Sequence, residues 1–186
     1  MAPVTCKPFY LTYLDSAIQM TDSIVIMGVA GCGKSSLGAA IARDHGLALL
    51  EGDQRHSEAS LDKMRRGVPL TDADREGWLT TLAGELGARP QGLVVTCSAL
   101  RRAYRERLRR DAPRLLFVFL EISPLAAKAR VAVRSGHFFS AAMVDSQFAT
   151  LESPVGEPCV LRLDATEPLD TLRAEVTRWL QPETTR

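Results

Sequence analysis

Long apolar runs are missing from this sequence: none approaches the ~20 residues that crossing a bilayer takes. An excess of one charge is missing as well. Lysine and arginine number 23 against 22 aspartates and glutamates, a formal net charge of +1, whereas a dedicated nucleic-acid binder shows a strongly basic domain. Cysteine is sparse and scattered. Cys6, Cys32, Cys97 and Cys159 lie 26, 65 and 62 residues apart, so no pair forms a CxxC metal or redox motif, and disulfides stay open on count alone. Internal repeats, linkers and low-complexity stretches are lacking too, and nothing marks a second domain. A signal peptide is not visible, because Phe9-Tyr10-Leu11 is soon interrupted by Thr12 and Asp15. Residues 1–22 are expected to be a flexible N-terminal extension, with Met20 as an alternative start, and the cytoplasm is the expected compartment.

What is present is an ordinary globular chain. Hydrophobic residues make up 46% and charged residues 24% of 186, a balance that excludes a disordered or fibrous protein. A chain of this length buries roughly 70% of its unfolded surface and needs no disulfide or metal staple. One domain over 23–186 is expected.

Short apolar runs alternate with amphipathic segments. Ile24–Met27 reads as a buried strand ending at Gly28; Leu37, Ala40 and Ile41 then recur at helical spacing until Gly46. Leu47–Leu50 is a second strand, ended by Glu51-Gly52-Asp53, and Leu61 and Met64 mark a short helix. Thr71-Asp72-Ala73-Asp74 has the spacing of a capping box and opens a helix to about Gly84–Leu86. Leu93–Cys97 is a third strand. Leu100, Tyr104 and Leu108 share a helix face that Pro113 ends. Leu115–Ile122 is apolar on both faces except for Glu121, the pattern of a parallel strand covered on both sides. Ser123-Pro124 pairs an N-cap with proline at the first helical position. After the polar turn Ser135-Gly136-His137, a helix runs from Ser140 to about Leu151, followed by a last strand, Val160–Leu163, and a helix marked by Leu169, Leu172, Val176 and Leu180. Five strands separated by helices predict a doubly wound α/β layer structure. Right-handed crossovers place the strand C-termini along one edge, where ligands bind.

One motif at that edge is specific. Gly28-Val29-Ala30-Gly31-Cys32-Gly33-Lys34-Ser35 fits G-x-x-x-x-G-K-[ST] in full. Glycines allow a tight turn with N–H groups aimed at phosphate oxygens. Lys34 then reaches the β- and γ-phosphates, Ser35 binds Mg²⁺, and the following helix contributes its positive end. Gly28, Gly31, Cys32, Gly33, Lys34, Ser35 and Ser36 are the expected nucleotide contacts.

Other candidates have plainer alternatives. Asp53, just past the second strand, can orient or deprotonate an attacking hydroxyl or help hold Mg²⁺ through water; it can also merely cap the next helix. His56 is a substrate-contact candidate or an ordinary loop histidine. Six arginines between Arg101 and Arg110 read mostly as a solvated face, though Arg105 lies close enough to the strand ends to meet an anion. Arg130 and Arg134, four apart beside a glycine-containing turn, suit a lid over the transferring phosphate, or are surface arginines.

Taken in order, these residues resemble the gluconokinases of the small P-loop type, relatives of shikimate and adenylate kinases. The carriers are the phosphate loop, Glu51-Gly52-Asp53 with His56, Lys63-Met64, Gly67–Arg75, Trp78-Leu79, Cys97–Leu100 with Tyr104-Arg105, Gly136–Phe139, and Ser146–Phe148 with Thr150–Glu152 and Pro154. The resemblance implies ATP-dependent phosphorylation of D-gluconate to 6-phosphogluconate on a three-layer P-loop kinase fold. That fold would have a five-stranded parallel sheet, a helical substrate-binding insertion about 54–88, a lid about 130–142, and a homodimer. By position, Asp53, His56 and Arg105 would contact the sugar acid, with Gln147 in the same pocket, while Arg130 and Arg134 would serve the lid. The family usually has Asp at Glu51 and Asn at Ser60; the latter change removes an amide from the substrate region. A kinase for another small hydroxy acid, such as shikimate, and a non-catalytic nucleotide switch are the competing readings.

Overall fold

The computed structural model describes residues 22–133 and 141–181. Five strands, β1 (Ile24–Met27), β2 (Ala48–Glu51), β3 (Leu93–Cys97), β4 (Leu116–Glu121) and β5 (Val160–Asp164), form one parallel sheet in the order β2-β3-β1-β4-β5. The helices are α1 (Lys34–Asp44), α2 (Glu58–Arg65), α3 (Asp72–Gly87), α4 (Arg102–Asp111), α5 (Pro124–Ala132), α6 (Ala141–Thr150) and α7 (Leu169–Leu180). Among the described residues, no helix is long and apolar enough to cross a membrane.

The central strand shows why the sheet is covered twice. Ile24 and Ile26 of β1 pack with Leu37 and Ile41 of α1 and Val176 and Leu180 of α7. Val25 and Met27 point the other way, into a core with Trp78, Leu79 and Leu82 of α3 and Leu108 of α4. Every residue of β1 is buried, as an all-apolar parallel strand requires. β1 also separates β3 from β4, so the chain leaving its C-terminus enters the crevice where the winding reverses.

Local signals set the helix starts. The α3 capping box forms in full: the Thr71 side chain accepts from the Asp74 N–H, and the Asp74 carboxylate accepts from the Thr71 N–H. Lys63 adds an ion pair to Asp74 at 2.6 Å, tying α2 to α3. Ser123 caps α5 with Pro124 in its first turn. β2 and β4 depart slightly from expectation. β2 runs one residue later, because Glu51 stays in register with Thr96, and β4 is one residue shorter at each end.

Candidate active site

A cavity of about 140 Å³ opens at the C-terminal edge of the sheet. The phosphate loop and the start of α1 contribute one part of its wall, Ala30, Gly31, Gly33, Lys34 and Ser35; the chain between β2 and the first turns of α3 contributes another, Asp53, His56, Met64, Pro69, Leu70, Arg75 and Trp78. Ser98, Val131, Met143, Ser146 and Gln147 close it.

The phosphate loop owes its shape to close backbone approaches. Gly28 has φ +141°, and a Cβ there would lie 2.8 Å from both Cys32 Sγ and the Leu120 carbonyl. Only glycine fits such a position. Cys32 turns its thiol into the core at 1% exposure, so only its backbone is available to a phosphate. α1 starts at Gly33 without a side-chain cap, which leaves its first N–H groups for an anion. Lys34 folds over the loop, donating to the Gly28 and Val29 carbonyls at 3.1 and 3.0 Å. Gly28, Cys32 and Ser36 do not line the cavity.

β2 delivers the acidic group that faces Ser35. Its end packs so tightly on β3 that a Cβ on Gly52 would lie 2.3 Å from the Thr96 carbonyl. Glu51 is thereby held beside the loop, where its Oε2 accepts from Ser35 Oγ at 3.1 Å and from the buried Thr96 hydroxyl. Hydroxyl and carboxylate oxygens, with Asp53 in the same cavity, form the hard donor set that suits Mg²⁺. The pairing of Glu51 with Ser35 was not anticipated; the charge retained at the position where the family carries Asp was the available signal.

Asp53 follows in a 3₁₀ turn, Gly52–Arg55, and is exposed on the cavity wall. His56 stacks on Trp78 with ring centroids 4.4 Å apart and 14° between planes. Trp78 in turn donates its indole N–H to the Gly52 carbonyl at 2.7 Å. Burial holds the His56 imidazole below its ordinary pKa; the Asp53 charge pulls it back up and the Arg75 charge pushes it further down. His56 Nδ1 is buried with no hydrogen-bond partner among the described residues. Cys97, at the end of β3, is pushed up to about 12 by burial, which keeps its thiol protonated and inert.

The sequence-predicted residues fall into three groups. Lys34, Ser35, Asp53, His56 and Gln147 meet in the cavity, and Gln147 Oε1 also accepts from the Ala30 N–H at 2.6 Å. Arg130 is half-buried, does not line the cavity, and exerts its charge on Asp164 at the end of β5. Arg134 lies outside the described residues, as do Ser135–Ser140 and therefore most of the expected lid.

Arg105 requires a correction. Expected to contact the sugar acid, it is 0% exposed and does not line the cavity. Its guanidinium is saturated from within: Nη1 donates to the Ala99 and Leu100 carbonyls at 2.8 and 3.1 Å, Nη2 to the Glu152 carbonyl at 3.1 Å, and Nε and Nη2 to Glu157. Arg109 donates to the same carboxylate at 3.0 Å. Burial raises the Glu157 pKa, but these hydrogen bonds outweigh it and hold the carboxyl below its ordinary value. Ser60 also differs from expectation. It is buried in the first turn of α2 against Ser57 and is not among the residues that line the cavity.

Comparison with known proteins agrees with this geometry. The family model of the AAA domain matches residues 24–154. Over 163 residues the chain is 39% identical to the gluconokinase of Gluconobacter oxydans (strain 621H), covering 86% of this chain and 92% of that protein. This chain belongs to the gluconokinase family. A solved gluconokinase from Sinorhizobium meliloti 1021 superposes with TM-score 0.80 at 43% identity, covering 86% of this chain and 91% of its own. A sugar kinase from Janibacter sp. HTCC2649 does so with TM-score 0.82 at 37% identity, over 88% and 96%. Among the lining residues not expected at the site from the sequence are Arg75 and Trp78, both within segments that carried the resemblance.

Proposed function

We propose that this chain transfers the γ-phosphoryl group of ATP to the terminal hydroxyl of D-gluconate, giving ADP and 6-phospho-D-gluconate. The observation that carries the reading is the single cavity in which the phosphate loop faces Asp53, His56 and Arg75. A nucleotide switch has no use for such a second wall, and the relatives do not favour a shikimate-type acceptor.

The loop N–H groups and Lys34 hold the phosphates, and Lys34 offsets charge at the β–γ bridge. Ser35 and Glu51 would hold Mg²⁺, with Asp53 reaching it through water; when bound, the ion neutralises phosphate charge. Asp53 accepts the proton of the terminal hydroxyl as its oxygen attacks the γ-phosphorus. The new O–P bond forms while the β–γ bridging bond breaks, and its electron pair leaves on ADP. His56, neutral and stacked on Trp78, is available to hydrogen-bond an acceptor hydroxyl. Arg130 and Arg134 steady the phosphoryl oxygens in flight, the role in which arginines are worth ~10³–10⁵ in rate. A homodimer in the cytoplasm completes this reading.

A coupled ADP assay over a panel of gluconate, shikimate, glucose and no acceptor tests it. ADP release should depend on gluconate and fall by about 10²–10³-fold in Lys34→Ala. Turnover on shikimate alone, or none with any acceptor, overturns the proposal.

A further inference from the structure

Two basic side chains line the cavity, Lys34 from the phosphate loop and Arg75 from the first turn of α3. Lys34 has an evident anion, the phosphates. Arg75 does not. Its position is unfavourable for a structural cation, because a positive charge in the first turn opposes the helix dipole. Both acidic neighbours in that turn are already engaged. Asp72 accepts from Arg101 and from the Tyr104 hydroxyl, and Asp74 is taken by Lys63 and by Thr71.

Arg75 itself donates from Nη1 to the Leu70 carbonyl at 2.5 Å, and its guanidinium lies 5.8 Å from the centre of the Tyr104 ring. Those two contacts hold the group in place and leave Nε and Nη2 without an acceptor among the described residues. Most other arginines near α3 and α4 have a carboxylate within 4 Å: Arg89, Arg101, Arg102, Arg105, Arg107 and Arg109. Arg75 is a half-buried, pre-positioned fork facing a polar cavity, which is the geometry that receives a carboxylate.

We propose that Arg75 is the specificity-determining residue for the acceptor: its guanidinium receives the carboxylate of the sugar acid and thereby sets the far, hydroxymethyl end toward the phosphate loop. The inference rests on the gluconate-kinase reading above and deepens it. An aldose or polyol of the same length leaves the cation unpaired, and a site built for a charged partner rejects an analogue that lacks it.

The experiment compares kcat/KM for gluconate and for D-glucitol, the polyol in which CH₂OH replaces the carboxylate, in the wild type, Arg75→Met and Arg75→Lys. In Arg75→Met, the preference for gluconate over glucitol should fall by about 10²-fold, through KM for gluconate, while KM for ATP stays within about twofold. Arg75→Lys keeps the charge but loses the fork, and should fall between. An unchanged ratio in both variants, or an equal loss on both acceptors, overturns the assignment. Should Arg75→Met not fold, the ratio in Arg75→Lys decides: a value equal to wild type contradicts the proposal. If the wild type shows no gluconate-dependent turnover, the functional reading itself has failed, which is a distinguishable result.

Discussion

The two walls of the cavity are made by opposite means. The phosphate wall is one unbroken segment, and its working groups are backbone N–H groups, a left-handed glycine turn and one lysine. The acceptor wall is assembled from side chains brought together from different elements, Asp53 after β2 with Arg75 and Trp78 on α3, and Ser98 after β3 and Gln147 on α6 close the cavity beside them. The first is fixed by conformation and recognises any phosphate chain. The second is fixed by tertiary packing, and in the proposed reaction it is the part that would tell one acceptor from another. Changes on the acceptor wall should therefore alter chemistry and specificity while sparing nucleotide affinity.

The sharpest way to break that division is Asp53→Asn. An amide cannot take the hydroxyl proton, so kcat should drop by about 10²–10⁴-fold with KM for ATP nearly unchanged in steady-state kinetics. Full activity in this variant removes Asp53 from the chemistry. A smaller effect, on stability rather than rate, separates Arg105 from Arg75. Arg105→Met leaves the Glu157 carboxylate with Arg109 alone and strips the Ala99, Leu100 and Glu152 carbonyls of their donor, and should cost about 3–5 kcal/mol in urea denaturation; adding Glu157→Gln should recover part of that loss.

The smallest effect concerns His56. The folded chain keeps this imidazole neutral below its ordinary pKa of 6.5, where the unfolded chain already binds the proton. Protons then favour the unfolded state, and stability contributed at neutral pH declines as pH falls below about 6.5. Unfolding free energies from urea titrations should fall further between pH 7.5 and pH 5.5 in the wild type than in His56→Gln. Equal slopes would mean that the stacked imidazole titrates freely.

The same contrast explains what could be read beforehand. The phosphate loop was legible because its residues are consecutive and its chemistry is backbone chemistry. Strands and helices were legible from apolar runs and local caps, such as Thr71 with Asp74 and Ser123 with Pro124. Asp53 and His56 could be placed because they leave a strand whose end is fixed by the sheet. Arg105 was misread because nothing in the run Arg101–Arg110 distinguishes a buried arginine from a solvated one; the residue that decides the matter, Glu157, is 52 positions away. Arg75 was passed over for the converse reason. Its proposed role rests on its lack of a carboxylate partner among the described residues, Asp72 and Asp74 being engaged elsewhere, and that is visible only in three dimensions.

Phosphorus–proton correlation NMR of the reaction product tests the central claim most directly. With the carboxylate held by Arg75 and the phosphates by Lys34, the acceptor lies end to end across the cavity. The expected result is one phosphomonoester coupled to the C6 methylene protons of gluconate. A phosphate ester on a secondary carbon, or inorganic phosphate as the only new species, would contradict it.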